Sequence, residues 1–581
     1  MRYFVAFCFG GCALVGCHQQ ADAVRRIGDA YWQDRLERFP TFATQIGDHR
    51  FDDRLDDLSE SAVNRWSDTQ RAYLRRLDRI DADKLDPRSR LSLRILRRQL
   101  ADSLLLSSCR LYLMPLNHQS GPHVQFPLLL VSQPFDTERD YAHYVARLNA
   151  FPTQVDQVIA NCRAGMKQRM VPPRIIIEKV VGQLKVHIDS VDNSEFVKPL
   201  TRMPDAFSAV RRAAITRAVR DAVARDVIPA YRRLLRFVET EYLPACRETI
   251  GIGALDGGDA IYDKLARIHT TTDMSVDAIH TTGLREIERI RGEMLDVARQ
   301  MGFDGGVDAF IEHMRNDPRY KFRSREALLD TFRGILARTV RQVPRLFGRL
   351  PKAPCEVKEI EAYRAASAAA AYAWPPPADG SHPGYFYVNT YRATERPTYT
   401  AESLTYHESY PGHHLQLTLA QENENIPAFR RYGDFTAYVE GWGLYAEGLG
   451  AELGGYQDPA SRFGRLSYDA WRAARLVVDT GIHRYGWSRQ RAIDYMRHNT
   501  GLSQVNIESE IDRYIAWPGQ ALAYKIGELT IKGIRRDAET RLGDAFDVRA
   551  FHDALLADGA MPLSILKSRM TEWIDRQAAH P

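Results

Sequence analysis

The sequence predicts a mostly α-helical protein with a small β-sheet, and three observations carry that prediction. Asn64–Leu105, Phe207–Glu239 and Ser324–Leu350 place apolar residues every three or four positions, with Arg and Asp between them, which is the period of a helix with one buried face. Few segments alternate at period two. One short stretch, Tyr385–Tyr391, is rich in aromatic and β-branched residues and follows a Pro- and Gly-rich loop at residues 374–384, so it reads as a strand.

The length of 581 residues suits two to four domains or one large two-lobed enzyme. Gly-rich residues 251–258 predict a boundary between a helical N-terminal lobe, residues 17–250, and a C-terminal lobe, residues 251–581. The net charge of +5, from 79 basic and 74 acidic residues, is spread along the chain. The arginine clusters fall at helical spacing, and no nucleic-acid motif is present, so we expect no nucleic-acid partner.

The N-terminus resembles a bacterial lipoprotein signal. Arg2 precedes an apolar core, Tyr3–Leu14, that is too short to span a bilayer. The core ends in L-V-G-C, similar to a lipobox, which implies a signal peptide over residues 1–16 and a lipid anchor at Cys17. His18 replaces the aspartate associated with inner-membrane retention, so we expect an outer-membrane lipoprotein that faces the periplasm. A plain secretory signal that contains a cysteine is the alternative.

Four cysteines remain after this signal: Cys109, Cys162, Cys246 and Cys355. Their wide spacing fits no C-x-x-C metal or redox motif. An oxidising compartment would allow up to two disulfides among them.

The chemistry of the chain is concentrated in Tyr406–Gln416, Y-H-E-S-Y-P-G-H-H-L-Q. It begins like the zinc-binding helix H-E-x-x-H, in which histidines at i and i+4 share one helix face. Here Pro411 occupies the i+4 position, and histidines follow at i+6 and i+7. On an ideal helix, i+6 is about 240° round the axis and i+7 is about 10.5 Å along it, so neither could share an ion with His407.

Pro411 and Gly412 predict that the helix is not ideal. Proline lacks an N–H and clashes with the carbonyl four residues back, and glycine adopts backbone angles closed to other residues. If the irregular segment absorbs two residues, His413 takes the place of the second ligand beside His407. If it absorbs three, His414 does.

The octapeptide H-E-S-Y-P-G-H-H closely resembles the signature of the bacterial family known as domain of unknown function 885. Similar stretches are G-Y-F-Y-V-N-T, V-E-G-W and P-G-Q-A-L-A-Y-K-I-G, within Gly384–Gly527. That family is grouped with zinc metallopeptidases of the thimet oligopeptidase, angiotensin-converting enzyme and carboxypeptidase Taq kind. The resemblance covers most of the mature chain and implies a large two-lobed helical metallopeptidase-like fold, with a zinc ion and a small sheet beside the active-site helix.

The related peptidases take a third zinc ligand, a glutamate, from the next helix. Residues 433–453 read as that helix, and Glu440 lies 27 residues after His413. The resemblance therefore implies zinc ligation by His407, His413 and Glu440. Glu447, two turns further on the same face, could orient a ligand histidine. Taken singly, each glutamate could equally be a solvated helix residue.

Glu408 takes the role of general base in this scheme, because it neighbours His407 and would face a zinc-activated water. An oxyanion also needs a donor. Tyr524 is favoured by analogy with the tyrosines of the related peptidases, and Tyr514 and His483 remain alternatives.

These expectations describe a zinc-dependent hydrolase that cleaves short peptides in a cleft between helical lobes. The predicted strand ahead of the motif could hold an extended peptide by main-chain pairing at its edge. One alternative is a non-catalytic envelope lipoprotein that binds zinc or peptides, and another is a zinc hydrolase of non-peptide amides or esters.

Overall fold

The structure is a computed structural model that describes residues 9–361, 365, 369–376 and 382–579, with side chains from residue 19 onward. The predicted signal peptide and Cys17 lie outside the residues whose side chains are described. The chain forms two compact units, one of residues 1–250 with 254–258 and the other of residues 251–253 with 259–581. The prediction of a mostly helical protein with a small sheet is confirmed.

The N-terminal unit is built from helices packed around an aromatic and aliphatic core. Phe126 and Phe151 stack at a centroid distance of 4.1 Å, and Tyr231 packs against Phe151 at 4.7 Å. Its main helices are Phe9–Arg38, Pro40–Gln45, Glu60–Leu77, Pro87–Ser108, Pro122–Leu128, Glu138–Lys167, Arg174–Val186, Ala209–Ala222, Ile228–Phe237 and Leu243–Ala245.

The helical pattern over Asn64–Leu105 is divided between two helices in the structure. The first ends at Leu77, and the second begins at Pro87, where the carboxylate of Asp86 accepts hydrogen bonds from the backbone N–H groups of Arg88 and Ser89. An Asp cap followed by Pro is a strong helix start, and it overrides the apolar periodicity that runs through both segments.

The C-terminal unit is organised around one long buried helix, Pro459–His483, which packs against Val276–Gln300. The remaining α-helices of this unit within the described residues are Gly258–Thr270, Val307–Asn316, Arg325–Gln342, Ala401–Glu408, His413–Gln421, Ala428–Arg431, Thr436–Leu449, Arg489–Asn499, Gln504–Ala516, Ala523–Leu542, Val548–Leu556 and Leu563–Ala579. None of the helices described in either unit has both the length and the apolar character to cross a bilayer.

The sheet has three short strands, β1 (Cys355–Glu359), β2 (Ala371–Trp374) and β3 (Gly384–Val388). They lie in the order β1-β3-β2, with β1 parallel and β2 antiparallel to β3. The strand predicted over Tyr385–Tyr391 is therefore the central one, so β2, not β3, lies at the edge of the sheet. Strand β3 also ends before the predicted Tyr391, because the side-chain oxygen of Asn389 accepts a hydrogen bond from the N–H of Tyr391 and turns the chain.

All four described cysteines are free thiols, so the structure contains neither of the disulfides that the sequence allows among them.

Candidate metal centre

The motif helix is interrupted, as its Pro-Gly pair predicts. The first ligand helix, Ala401–Glu408, ends just before Ser409, and the second ligand helix, His413–Gln421, starts after Gly412. The carbonyl of Pro411, in this connection, accepts a hydrogen bond from the indole of Trp442 at 3.0 Å. A Cβ atom on Gly412 would lie 1.9 Å from the carbonyl oxygen of His407. Only glycine lets the chain pass this close to the end of the first ligand helix.

The interruption brings the side chains of His407, His413 and Glu440 together. One ligand atom from each lies within 4.8 Å of the other two. Oε2 of Glu440 is 3.4 Å from Nε2 of His407 and 3.4 Å from Nε2 of His413. The two imidazole rings are nearly perpendicular, with centroids 4.6 Å apart. Glu440 comes from a third helix, Thr436–Leu449, which we call the glutamate helix.

The donor set and its spacing fit a zinc ion. Tetrahedral zinc with bonds of about 2.0–2.1 Å places two of its ligand atoms roughly 3.4 Å apart, and 3.4 Å is the separation of Glu440 Oε2 from each histidine nitrogen. Oε2 of Glu440 is buried, and the two histidine nitrogens, each 3.4 Å away, are the recorded donors nearest to it among the described residues. A cation at this position would offset the lost hydration of the carboxylate better than these two long contacts do.

Glu447 holds His407 in the orientation that a metal ligand requires. Oε1 of Glu447 accepts a hydrogen bond from Nδ1 of His407 at 2.8 Å and lies 3.0 Å from a terminal nitrogen of Arg472. With one proton fixed on Nδ1 by Glu447, Nε2 is the nitrogen that faces Glu440 and His413, and a zinc ion would take the place of the proton on Nε2. Gly443 makes room for the ring, because a Cβ there would lie 2.7 Å from Cε1 of His407.

The charges in this cluster stabilise one another. Burial alone would lower the pKa of His407, but hydrogen bonds to Glu440 and Glu447 and the nearby charge of Glu408 outweigh it and raise that pKa to about 9. Burial would raise the pKa of Glu440, yet the hydrogen bonds and charges of His407 and His413 hold it well below its usual range. The site therefore keeps Glu440 ionised and ready to bind a cation.

Glu408, the predicted base, lies at the rim of this cluster. It is half-buried, and its Oε2 accepts a hydrogen bond from the backbone N–H of Ala373 at 2.9 Å. Ala373 belongs to edge strand β2, so the sheet fixes the carboxylate without binding both of its oxygens.

His414 is placed away from the three converging ligands and serves the fold. Its Nε2 lies 3.1 Å from the carbonyl oxygen of Ala353 and 3.2 Å from the hydroxyl of Tyr410. Burial lowers its pKa to about 4, so the ring is neutral at ordinary pH. Of the two histidines that the sequence left open, the structure brings His413 to His407 and directs His414 to the loop before β1.

The three oxyanion-donor candidates differ in how their polar atoms are used. Nδ1 of His483 accepts from the N–H of Ile252, and its Nε2 donates to the carbonyl of Tyr514, both at 3.0 Å. The hydroxyl of Tyr514 donates to Glu510 and accepts from Trp471 and Arg475. The polar side-chain atoms of both residues are thus used in hydrogen bonds within the fold.

Tyr524 has fewer recorded hydrogen-bond partners than Tyr514. Its hydroxyl accepts from Arg513 at 3.1 Å, and the guanidinium of Arg475 covers its ring at 4.0 Å. Its helix, Ala523–Leu542, crosses the glutamate helix where Gly527 meets Gly441, the neighbour of Glu440. No contact between Tyr524 and the three converging ligands is recorded among the described residues. The neighbouring Lys525 is buried and ion-paired with Asp469, Glu528 and Glu286, which gives it a structural role.

Sequence reasoning missed two contributors, Arg472 and Ala373. Arg472 is one of several buried charged residues on the long buried helix, with Asp469, Arg475 and Asp479, and a buried arginine on such a helix is a usable signal for a buried carboxylate partner. Ala373 acts only through its backbone N–H, so its side chain carries no signal.

Comparison with known proteins places this fold in a defined group. It is similar to the crystal structure of a protein assigned as a lipoprotein in Colwellia psychrerythraea, with a TM-score of 0.90, 28% identity, and coverage of 97% of this chain and 99% of the other. A protein assigned as a lipoprotein of unknown function in Shewanella oneidensis shares the fold, with a TM-score of 0.74, 18% identity, and coverage of 94% and 99%.

No protein with a curated description is similar in sequence to this chain. A family model does match, over residues 40–570. The chain therefore belongs to the family described as bacterial protein of unknown function, DUF885.

Proposed function

We propose that the protein is a zinc-dependent hydrolase that acts on peptides. The observation that carries this proposal is the convergence of His407, His413 and Glu440, with Oε2 of Glu440 at tetrahedral spacing from both histidine nitrogens and with Glu408 at the rim. A purely structural cluster has no need of a neighbouring carboxylate whose Oε1 has no recorded partner among the described residues.

Zinc bound at this site would supply Lewis acidity, which lowers the pKa of water and polarises a substrate carbonyl. Glu408 takes the proton of the attacking water and transfers it to the leaving nitrogen. The hydrogen bond from Ala373 steadies this carboxylate through Oε2, which leaves Oε1 for the proton. Glu447 and Arg472 act through His407, by fixing its ring. Tyr524 is assigned the oxyanion-donor role by analogy with related peptidases.

The edge strand β2 supports a peptide as the substrate. It pairs with β3 on one side only, and the N–H of Ala373 on its other side reaches Glu408. An extended chain that pairs with this edge would present its carbonyl groups beside the base.

The N-terminal L-V-G-C sequence and the lipoprotein assignment of the similar proteins support an envelope lipoprotein anchored through Cys17. The outer membrane, facing the periplasm, is the location we propose, because His18 follows the cysteine.

The test combines metal analysis with peptide cleavage. The mature protein is purified, its zinc content is measured by mass spectrometry, and it is incubated with a mixture of short peptides, with and without a chelator. We expect about one zinc per chain and cleavage that stops on chelation and returns with zinc. Zinc without cleavage of any peptide or amide would favour the non-catalytic binding protein, and the absence of zinc would reject the site.

A further inference from the structure

A cavity lies in the C-terminal unit, beside the start of the first ligand helix. It has a volume of about 790 Å³, and it is lined by Leu404 of that helix and by Thr400, which immediately precedes the helix. Phe322, Phe332 and Leu502 supply apolar walls. This volume falls within the range of about 300–1,000 Å³ that holds small organic ligands.

The cations around this cavity outnumber the carboxylates. Arg315 and Arg497 both pair with Glu312, at 2.6 and 3.2 Å, and Arg392 pairs with Glu395 at 2.6 Å. Two more cationic residues line the cavity, Lys321 and Arg396. Neither has a carboxylate within 4.0 Å in the part of the chain that the structure describes.

Lys321 and Arg396 lie on two chain segments that backbone hydrogen bonds join. The N–H of Phe322 donates to the carbonyl of Arg396 at 3.2 Å, and the N–H of Thr398 donates to the carbonyl of Tyr320 at 2.8 Å. Nε of Arg396 donates to the carbonyl of Tyr391, and its terminal nitrogens have no recorded partner within the described residues. The arrangement presents an ammonium and the end of a guanidinium at fixed backbone positions.

Keeping these cations here costs the fold free energy. Burial lowers the pKa of Lys321, and the nearby charge of Arg315 lowers it further. Burial also lowers the pKa of Arg396, and the nearby charge of Glu395 raises the pKa of both residues without offsetting burial. A half-buried cation whose burial is not offset destabilises a folded protein, whereas the same cation beside a bound anion does not.

We propose that this cavity binds small organic carboxylates, with the carboxylate between Lys321 and Arg396 and an apolar body against Phe322 and Phe332. Arginine binds a carboxylate through two parallel N–H groups, and lysine adds a point charge. The apolar walls favour a carboxylate with a hydrocarbon body over a fully hydrated inorganic anion. The site is separate from the metal ligands and does not depend on the proposed hydrolysis.

The experiment is calorimetric titration of the full chain with 3-phenylpropionate, with its neutral analogue 3-phenylpropan-1-ol, and with inorganic phosphate. We expect 3-phenylpropionate to bind at least about tenfold more tightly than the alcohol, since a hydrogen bond to a charged group contributes about 1.5–3 kcal/mol. Lys321→Met and Arg396→Met should each weaken its binding about tenfold or more. Arg392→Met, which removes an exposed and already paired cation at the same cavity, is the matched control and should change little.

Two further measurements keep the proposal falsifiable. His413→Ala should leave 3-phenylpropionate binding unchanged, and loss of binding in that variant would place the carboxylate on the metal site and overturn the proposal. Thermal unfolding of ligand-free Lys321→Met should occur at the wild-type temperature or above it, because an uncompensated cation is removed. Equal binding of the acid and the alcohol, tighter binding of phosphate, or full affinity in both cavity variants would each reject the assignment.

Discussion

Nδ1 of His407 donates a hydrogen bond to Oε1 of Glu447 at 2.8 Å, and this one contact decides which nitrogen of the histidine is available to a metal. Glu447 lies two turns along the glutamate helix from Glu440. One helix therefore supplies a ligand and also the carboxylate that orients another ligand. The side chain of Arg472 lies 3.0 Å from the same oxygen and holds the Glu447 side chain in place.

Glu447→Gln should weaken zinc binding roughly 10–100-fold, the usual effect of losing a carboxylate behind a ligand histidine. Its measurement is competition for zinc against a chromophoric chelator. Glu452→Gln, on the same stretch but paired with Arg535 away from the cluster, is the control. Equal zinc affinity in the Glu447 variant and the wild type would remove its orienting role.

His413→Ala should abolish tight zinc binding, because it removes one of three ligands, whereas His414→Ala should retain the metal. The second variant loses contacts with Ala353 and Tyr410, so its unfolding free energy should fall by roughly 1–3 kcal/mol. Zinc content and thermal unfolding of both variants make the comparison. Zinc retained in His413→Ala and lost in His414→Ala would exchange the two roles.

Glu408→Gln should keep zinc and lose at least about 10²–10⁴-fold in hydrolysis rate, because the amide accepts the Ala373 N–H but cannot take a proton. Rates on whichever peptide the wild type cleaves, with zinc content measured in parallel, provide the readout. The exposed Glu424→Gln serves as a control that should match the wild type. Full activity in Glu408→Gln would show that another group is the base.

Tyr524→Phe should lower kcat with little change in KM or in zinc content, since only the phenolic O–H is removed and the ring stays under Arg475. Steady-state kinetics on the same peptide separate these parameters. Tyr514→Phe is the matched comparison, and it should cost stability instead, because that hydroxyl has three hydrogen-bond partners. An unchanged kcat in Tyr524→Phe would leave the oxyanion donor unassigned.

Asp479 should make the protein less stable as the pH rises from about 4 to 7. Burial raises its pKa to about 7 in the folded protein, although hydrogen bonds from Tyr262 and Gly519 oppose that rise. The unfolded carboxyl has a pKa of about 3.9, so the folded state binds more protons between these values and stability falls across that window.

Asp479→Asn should remove this part of the pH dependence and stabilise the protein above pH 7, by on the order of 2 kcal/mol. Its amide oxygen can accept the same two hydrogen bonds. Chemical unfolding of both proteins at pH 5 and pH 8 supplies the comparison, and an equal stability difference at the two pH values would contradict it.

The sequence predicts the local backbone features of the site better than the contacts between residues distant in sequence. Pro411 and Gly412 reveal the helix interruption, because their backbone limits are properties of those residues alone. The spacing of Glu440 came from resemblance to related peptidases. β2 was missed, since A-Y-A-W lacks the consecutive aromatic residues seen in β3, and its strand is set by pairing with β3. The full engagement of His483 and Tyr514 depends on partners distant in sequence, so no local pattern could show it.

The interruption at Ser409–Gly412 has a thermodynamic consequence. In an unbroken H-E-x-x-H helix, the distance between the two histidines is fixed by the helical repeat. Here it is fixed by how the second ligand helix packs against its neighbours. Zinc affinity is therefore linked to tertiary packing, and by reciprocity bound zinc should stabilise the packing of both ligand helices against the glutamate helix. The ion would connect three helices. Substitutions far from the ion that weaken the packing of the second ligand helix should therefore weaken metal binding.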